Sequence, residues 1–236
     1  MNNSNKEPKR NNWKGMMKEG RYRAFRNLPV GWVLQILHST DKSDRRFRLV
    51  LELVVLLGSF ICIYLLNNRL TVVSGVSAFI VIHTLSWFLM GNFWVYMLDS
   101  FLFVKNTGLD DTLKYIQLVE RAYEKSDSCN AVLIYGSFCR NMFHGRSDLD
   151  IRIVRRTDSI IGLWALFLGL YFRAYSFFKL IPADFQVVDS MEFLTNQMRD
   201  DEKPVVAYKR QGFNIANEGR PLSDVLNNPS SVLKES

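Results

Sequence analysis

Cysteine is scarce. Cys62, Cys129 and Cys139 are the only three in 236 residues. They are scattered, without the paired spacing that holds zinc or staples a small secreted fold, and they read as small apolar fillers. Acidic residues are few in the first 48 positions, where Arg21, Arg23, Arg26, Arg45, Arg46 and Arg48 cluster. Charge of either sign is missing from two long stretches. Leu49 to Leu66 is broken only by Glu52 near its start, and Leu70 to Leu98 holds no Asp, Glu, Lys or Arg. No internal repeat is present. The first apolar run begins far from the N-terminus, so a signal peptide is not expected.

Each apolar run covers the ~20 residues needed to cross a bilayer. Asn67-Asn68-Arg69 between them is a turn rather than a linker, so two transmembrane helices in a hairpin are expected. The second run carries Ser74, Gly75, Ser77, His83, Thr84, Ser86 and Asn92. Small and weakly polar residues suit close helix contact in lipid. His83 has two readings of equal weight, an intramembrane functional group or a hydrogen bond between helices. Basic flanks stay in the cytoplasm and the hairpin loop holds only Arg69, so both termini are expected there. The hairpin could also support a homo-oligomer.

From Trp13 to Leu37, arginines alternate with Tyr22, Phe25, Trp32 and other apolar residues. That pattern suits a helix lying on an anionic membrane surface. The formal net charge of +7 would also suit nucleic acid, but next to two spans the membrane needs fewer assumptions. Nucleic acid is not expected as a partner. Residues 1–12 are polar and lack aromatics, and a disordered tail is expected there. Three units follow: a basic segment 1–48, a membrane hairpin 49–105, and a cytoplasmic domain 106–236.

That domain opens with Leu109 to Lys125, where Leu113, Ile116 and Val119 recur at helical spacing. Asp110 and Asp111 suit its first turn. Next comes an apolar strand, Leu133-Ile134-Tyr135, that runs into Gly136-Ser137. After a short spacer, Asp148-Leu149-Asp150 opens a second apolar strand, Ile151-Arg152-Ile153-Val154. Alternate strand residues share a face. Asp148 and Asp150 then point one way and Leu149 points into the core. Two neighbouring carboxylates on an open face invite a hard divalent cation, which uses substrate phosphates as further ligands. The small Gly-Ser turn lets backbone N–H groups approach a phosphate.

This constellation resembles the nucleotidyltransferase superfamily that includes DNA polymerase beta. The Gly-Ser-Phe-Cys-Arg start and the Ser-Asp-Leu-Asp end are most similar to its minimal members. The resemblance spans Asp110 to Asp189. It implies an α+β fold, a small mixed sheet with flanking helices, and a third acid on a neighbouring strand. Pro182 to Asp189 is the candidate strand, and the position of the acid near its start favours Asp184 over Asp189. By this resemblance Asp148, Asp150 and Asp184 are both the catalytic residues and the ligands of Mg²⁺ or Mn²⁺. Asp184 accepts the proton of the attacking hydroxyl or completes the second metal site. Gly136, Ser137, Arg140, Ser147 and Arg152 contact a nucleoside triphosphate, the substrate.

Ile160 to Ile181 is also very apolar. Asp150 precedes it and Asp184 follows it, and one metal site must hold both. It is therefore expected to pack on the sheet and dip into the membrane interface, with Arg173 and Lys179 at head-group level, rather than to span. Arg155 and Arg156 read as contacts to head groups or solvent, and His144 as loop filler or a nucleotide contact. The expected activity is transfer of a nucleoside monophosphate, with release of pyrophosphate, to a membrane-associated acceptor such as a lipid or glycoconjugate precursor. A protein-adenylylating enzyme and a non-catalytic nucleotide-binding membrane scaffold are the alternatives.

Overall fold

The computed structural model describes residues 29–33, 41–67, 71–90, 93–100, 105–199, 202–215 and 217–234. Most of the basic aromatic segment Trp13 to Leu37, and the tail 1–12, lie outside them.

Helix α1 (Lys42–Asn67) starts two turns before the apolar run. Lys42 to Arg48, expected in a separate N-terminal segment, are therefore the first turns of the same helix. Helix α2 (Val72–Met90) packs against it. Most of the large apolar side chains of both face outward, among them Leu53, Val54, Leu57, Ile61, Leu65, Val73, Val76 and Ile80. Where they meet, Glu52 Oε1 lies 2.5 Å from His83 Nδ1, and His83 Nε2 lies 2.9 Å from the Trp32 carbonyl. His83 thus joins helices by hydrogen bonds.

Two described helices lie in the second run. Helix α2 ends at Met90, and a separate α3 (Phe93–Ser100) follows. Aromatic contacts hold α3 against the helix that carries Phe177. The Trp94 indole donates to the Phe177 carbonyl at 2.8 Å, and Phe93 and Trp94 pack on the Phe177 ring. Those contacts fold α3 back onto the domain.

Helix α4 (Leu109–Ser126) carries Leu113, Tyr115, Ile116, Val119 and Tyr123 on one buried face. Asp127, in the left-handed region at φ 49°, ends it and turns the chain into β1 (Cys129–Tyr135). Strand β2 (Leu149–Arg155) pairs antiparallel with β1. Helix α5 (Ile161–Phe178) then crosses back, and β3 (Ala183–Val188) lies parallel to β2. Parallel neighbours require such a crossover. Short α6 (Met191–Thr195) leads to β4 (Val205–Lys209), a strand not expected from the sequence. It pairs antiparallel with β1 and gives the order β3-β2-β1-β4. Helix α7 (Leu222–Asn227) and a 3₁₀ turn (Pro229–Val232) end the described chain. The architecture is α+β, a four-stranded mixed sheet with flanking helices.

Strand alternation gives the sheet two different faces. Val132, Ile134, Ile151, Ile153, Phe185 and Val187 point into a core shared with α4 and α5. Helix α5 lies close on this face: a Cβ at Gly169 would come within 2.8 Å of Val187 Cγ2. The Tyr115 and Tyr123 hydroxyls donate to the Phe172 and Ala165 carbonyls, both at 2.9 Å, and lock α4 to α5. On the other face a smaller cluster around Leu133, Val154, Val188, Leu194 and Ile215 fills one part. The rest of that face is polar.

Helices α1, α2 and α5 are each long and apolar enough to cross a membrane. Their surroundings differ. The protein buries only 6% of the apolar window of α1, against 39% for α5.

Candidate functional site

The polar part of the second face is built by register. Asp150 on β2 lies directly beside Asp184 on β3, and Arg152 lies beside Gln186. On the other side Asp150 pairs with Tyr135 of β1. All four polar side chains point away from Phe185 and Val187, because β residues alternate. Asp148 is placed less regularly. It precedes the first residue of β2, so the aspartate pair opens the strand with only its second member inside the ladder.

Arg152 joins the two strands. Its Nη2 donates to Asp150 Oδ1 at 3.0 Å and to Asp184 Oδ2 at 2.7 Å. Its Nη1 donates to the Asp184 carbonyl at 2.6 Å. Arg152 is buried, whereas the side chains of Asp150 and Asp184 each keep 19% exposure. A parallel pair of carboxylates would repel, and the guanidinium cancels that repulsion. Burial alone would raise the pKa of Asp184. The charge and hydrogen bond of Arg152, with help from Gln186 and Arg48, instead hold it below the ordinary 3.8. Asp184 and Asp150 in turn outweigh the burial of Arg152 and raise its pKa, with a smaller contribution from Asp148.

Gly136 ends β1 beside this pair. Its φ of 73° is a conformation that favours glycine. Any Cβ there would also overlap the Asp150 carboxylate. The Ser137 hydroxyl is buried and has no hydrogen-bond partner among the described residues. Arg140 is exposed above the turn, where its Nε donates to the Gly136 carbonyl at 3.0 Å. Ser147 is placed differently from the expectation of a phosphate contact. Its hydroxyl accepts the His144 N–H at 3.0 Å and lies 2.8 Å from His144 Nδ1, so it closes the 144–147 turn.

The structure separates the two candidates for the third acid. Asp184 is level with Asp150, whereas Asp189 caps the junction of α1 with the sheet. Ser43 donates to Asp189 Oδ2 at 2.6 Å, Arg155 Nε donates to Oδ1 at 2.5 Å, and Asp41 Oδ2 accepts the Asp189 N–H at 3.1 Å. Arg155 is thus paired in the protein rather than turned to head groups, and Arg156 pairs with Asp127 and Asp158. Arg173 is also not at head-group level. It is buried, with Nη1 and Nη2 on the two carboxylate oxygens of Asp44 at 3.1 and 2.6 Å.

Among the described residues, no three His, Cys, Asp or Glu side chains are grouped tightly enough to hold a metal ion. The chemistry of the donor set nonetheless fits Mg²⁺ or Mn²⁺. Mg²⁺ commonly takes one or two carboxylates and completes its shell with substrate phosphates and water. Asp150 and Asp184, in register on neighbouring strands, are such a pair. Arg152 occupies one oxygen of each, so a metal at this pair must share or displace the guanidinium. No family model, curated protein or solved structure matches the chain.

Proposed function

We propose that this protein is a membrane-anchored, metal-dependent nucleotidyltransferase. It binds a nucleoside triphosphate and transfers the nucleoside monophosphate to an acceptor, with release of pyrophosphate. One observation carries the reading. Two of the three acids picked out by the resemblance, Asp150 and Asp184, fall in register on adjacent strands, beside a glycine turn whose serine hydroxyl is buried without a partner among the described residues. Bound metal supplies charge neutralisation for the displacement at the α-phosphorus. Asp150 and Asp184 would hold it, with Asp148 at the mouth of β2 beside them. Ser137 and the Gly136 backbone receive phosphate oxygens, with Arg140 at the rim and Arg152 beside the carboxylates. Asp184, kept ionised, can accept the proton of the attacking hydroxyl.

Helices α1 and α2 cross the bilayer as a hairpin, with the sheet on the cytoplasmic side, where triphosphates are found. Helix α5 does not cross. Its two ends lead into adjacent strands of one sheet, and its length lies along that sheet. Its outer stripe of Ile160, Trp164, Phe167, Tyr171 and Phe178 is exposed and uncharged. Exposed apolar patches of this kind mark interaction surfaces. Beside a hairpin with the same character, the partner is the membrane interface.

The acceptor is a head group presented at that surface, as in a lipid or glycoconjugate precursor. One observation favours a protein acceptor instead: the carboxylates lie on the sheet face opposite α5, turned away from the surface that docks on lipid. The test uses the full chain in lipid nanodiscs with labelled triphosphates, Mg²⁺, lipid extract and cytosolic protein. Label in the lipid fraction supports the head-group acceptor, and label on protein alone supports the second reading. Asp148→Asn with Asp150→Asn is expected to remove either signal. Turnover that survives this double change would sink the assignment, and tight metal-independent nucleotide binding without turnover would point to a scaffold.

A further inference from the structure

A second network of buried charge lies on the far side of β3. Asp44 in the first turn of α1 is fully buried between two arginines. Arg48 Nη2 donates to Asp44 Oδ2 at 2.8 Å, and Arg173 of α5 donates to both carboxylate oxygens. Each arginine also grips backbone. Arg48 Nη1 donates to the carbonyl of Met90, the last residue of α2, at 2.9 Å. Arg173 Nε and Nη2 both donate to the Phe185 carbonyl, at 3.0 and 2.9 Å. β3 is an edge strand, so the outward carbonyl of Phe185 has no strand partner to satisfy it.

Two successive peptide units of β3 are therefore gripped, one from each side. Arg152 holds the Asp184 carbonyl from inside the sheet and Arg173 holds the Phe185 carbonyl from outside it. The two networks are complementary in charge. Two arginines and one aspartate leave a positive excess on the α1 side, and two aspartates with one arginine leave a negative excess on the site side. Buried ionic triads seldom add net stability over apolar packing, and their best-attested use is to fix register. The register fixed here belongs to the strand that carries Asp184.

We propose that Arg173, held in place by Asp44, is a positioning residue for Asp184. Through it the first turns of α1 set the alignment of the carboxylate pair. The hairpin is then part of the working site and not only an anchor. This rests on the reading of Asp184 as a catalytic acid.

The test compares the full chain in nanodiscs with the apolar triple variant Asp44→Leu/Arg48→Met/Arg173→Met and with Arg173→Lys, which keeps the charge but loses the fork. In the triple variant, amide exchange across Ala183–Val188 is expected to rise at least tenfold while Cys129–Tyr135 stays protected. The kcat is expected to fall by roughly 10–100-fold, the usual effect of losing a group that orients a ligating side chain, with KM for the triphosphate unchanged. Arg173→Lys falls between parent and triple variant, and it carries the test alone if the triple variant does not fold. Parental exchange in β3, or raised exchange with parental kcat, overturns the proposal. If the parent turns over no triphosphate, the transfer reading fails, and the exchange comparison still decides whether the clamp sets β3.

Discussion

Two arginine–aspartate networks flank one strand, and they are built to different rules. Around Asp44 the protein supplies more cation than anion, buries all three side chains and spends the guanidinium forks on backbone carbonyls. Around Arg152 it supplies more anion than cation and leaves both paired carboxylates partly exposed. The first network is closed: the chain itself meets both Asp44 oxygens and the Nη groups of both arginines, and only Arg48 Nε is buried without a partner among the described residues. The second has anionic capacity that a cation from solution could use. A surplus of buried charge open on one side is a mark of a site, whereas a closed knot is a mark of assembly. The contrast can be broken by removing one member of each.

The largest effect is expected at the closed knot. Asp44→Ala leaves Arg48 and Arg173 buried with no carboxylate between them. Loss of one member of a buried pair costs about 3–5 kcal/mol. Thermal unfolding in nanodiscs should show this as a large drop in Tm, and divalent metal should not recover it. A drop no larger than that of an exposed pair such as Lys114–Asp111 would show that water reaches the knot.

Part of this contrast was legible in the chain. Period-two alternation sets Asp150 with Arg152 on one face of their strand and Asp184 with Gln186 on one face of theirs, because strand geometry fixes side-chain direction locally; that the two faces are one follows from the resemblance. The preference for Asp184 over Asp189 follows from the resemblance, which sets the third acid near the start of its strand. The knot was not legible. Asp44 sits in the basic stretch Arg45-Arg46-Phe47-Arg48, where a lone acid reads as solvated. Arg173 sits in an apolar helix, where a lone cation reads as snorkelling. Only the tertiary approach of α1 to α5, fixed in part by Phe47 on Phe167 at 5.0 Å, makes them partners. β4 was missed because it is short and gains its strand character from pairing with β1.

At the open network the effect is smaller and depends on pH. Arg152→Met removes the cation between Asp150 and Asp184, a cost of about 1–3 kcal/mol at pH 7.5 for losing its charged hydrogen bonds. The sign follows from linkage. In the parent, Arg152 depresses the Asp184 pKa, so its stabilisation is present above the ordinary carboxylate range and lost only as pH falls below it. In the variant, burial dominates and the folded pKa lies above the unfolded one. Stability is then greatest in acid and falls as pH rises through that value. Tm of the variant should decrease from pH 5 to pH 7.5, where Asp184 contributes no such slope in the parent. Mg²⁺ or Mn²⁺ should raise the Tm of the variant by more than that of the parent, since metal replaces the lost cation. An equal response in both would mean that the carboxylates do not bind metal as a pair.

The smallest and sharpest comparison is between two serines that flank the same spacer. Ser147 spends its hydroxyl on the 144–147 turn, and Ser137 buries its own without a partner among the described residues. Ser147→Ala should cost about 1 kcal/mol of stability, the usual net worth of a lost hydrogen bond, and leave triphosphate binding unchanged. Ser137→Ala should be neutral or slightly stabilising, because no hydrogen bond is lost and a buried polar group is removed. It should weaken triphosphate binding roughly tenfold, the equivalent of one ordinary hydrogen bond at about 1.4 kcal/mol. Thermal unfolding and equilibrium titration with a non-hydrolysable triphosphate read both quantities on the same samples. The two variants are expected to cross, one losing stability alone and the other affinity alone. If Ser137→Ala instead loses stability and keeps affinity, its hydroxyl belongs to the fold, and the phosphate role of the Gly136-Ser137 turn is lost with it.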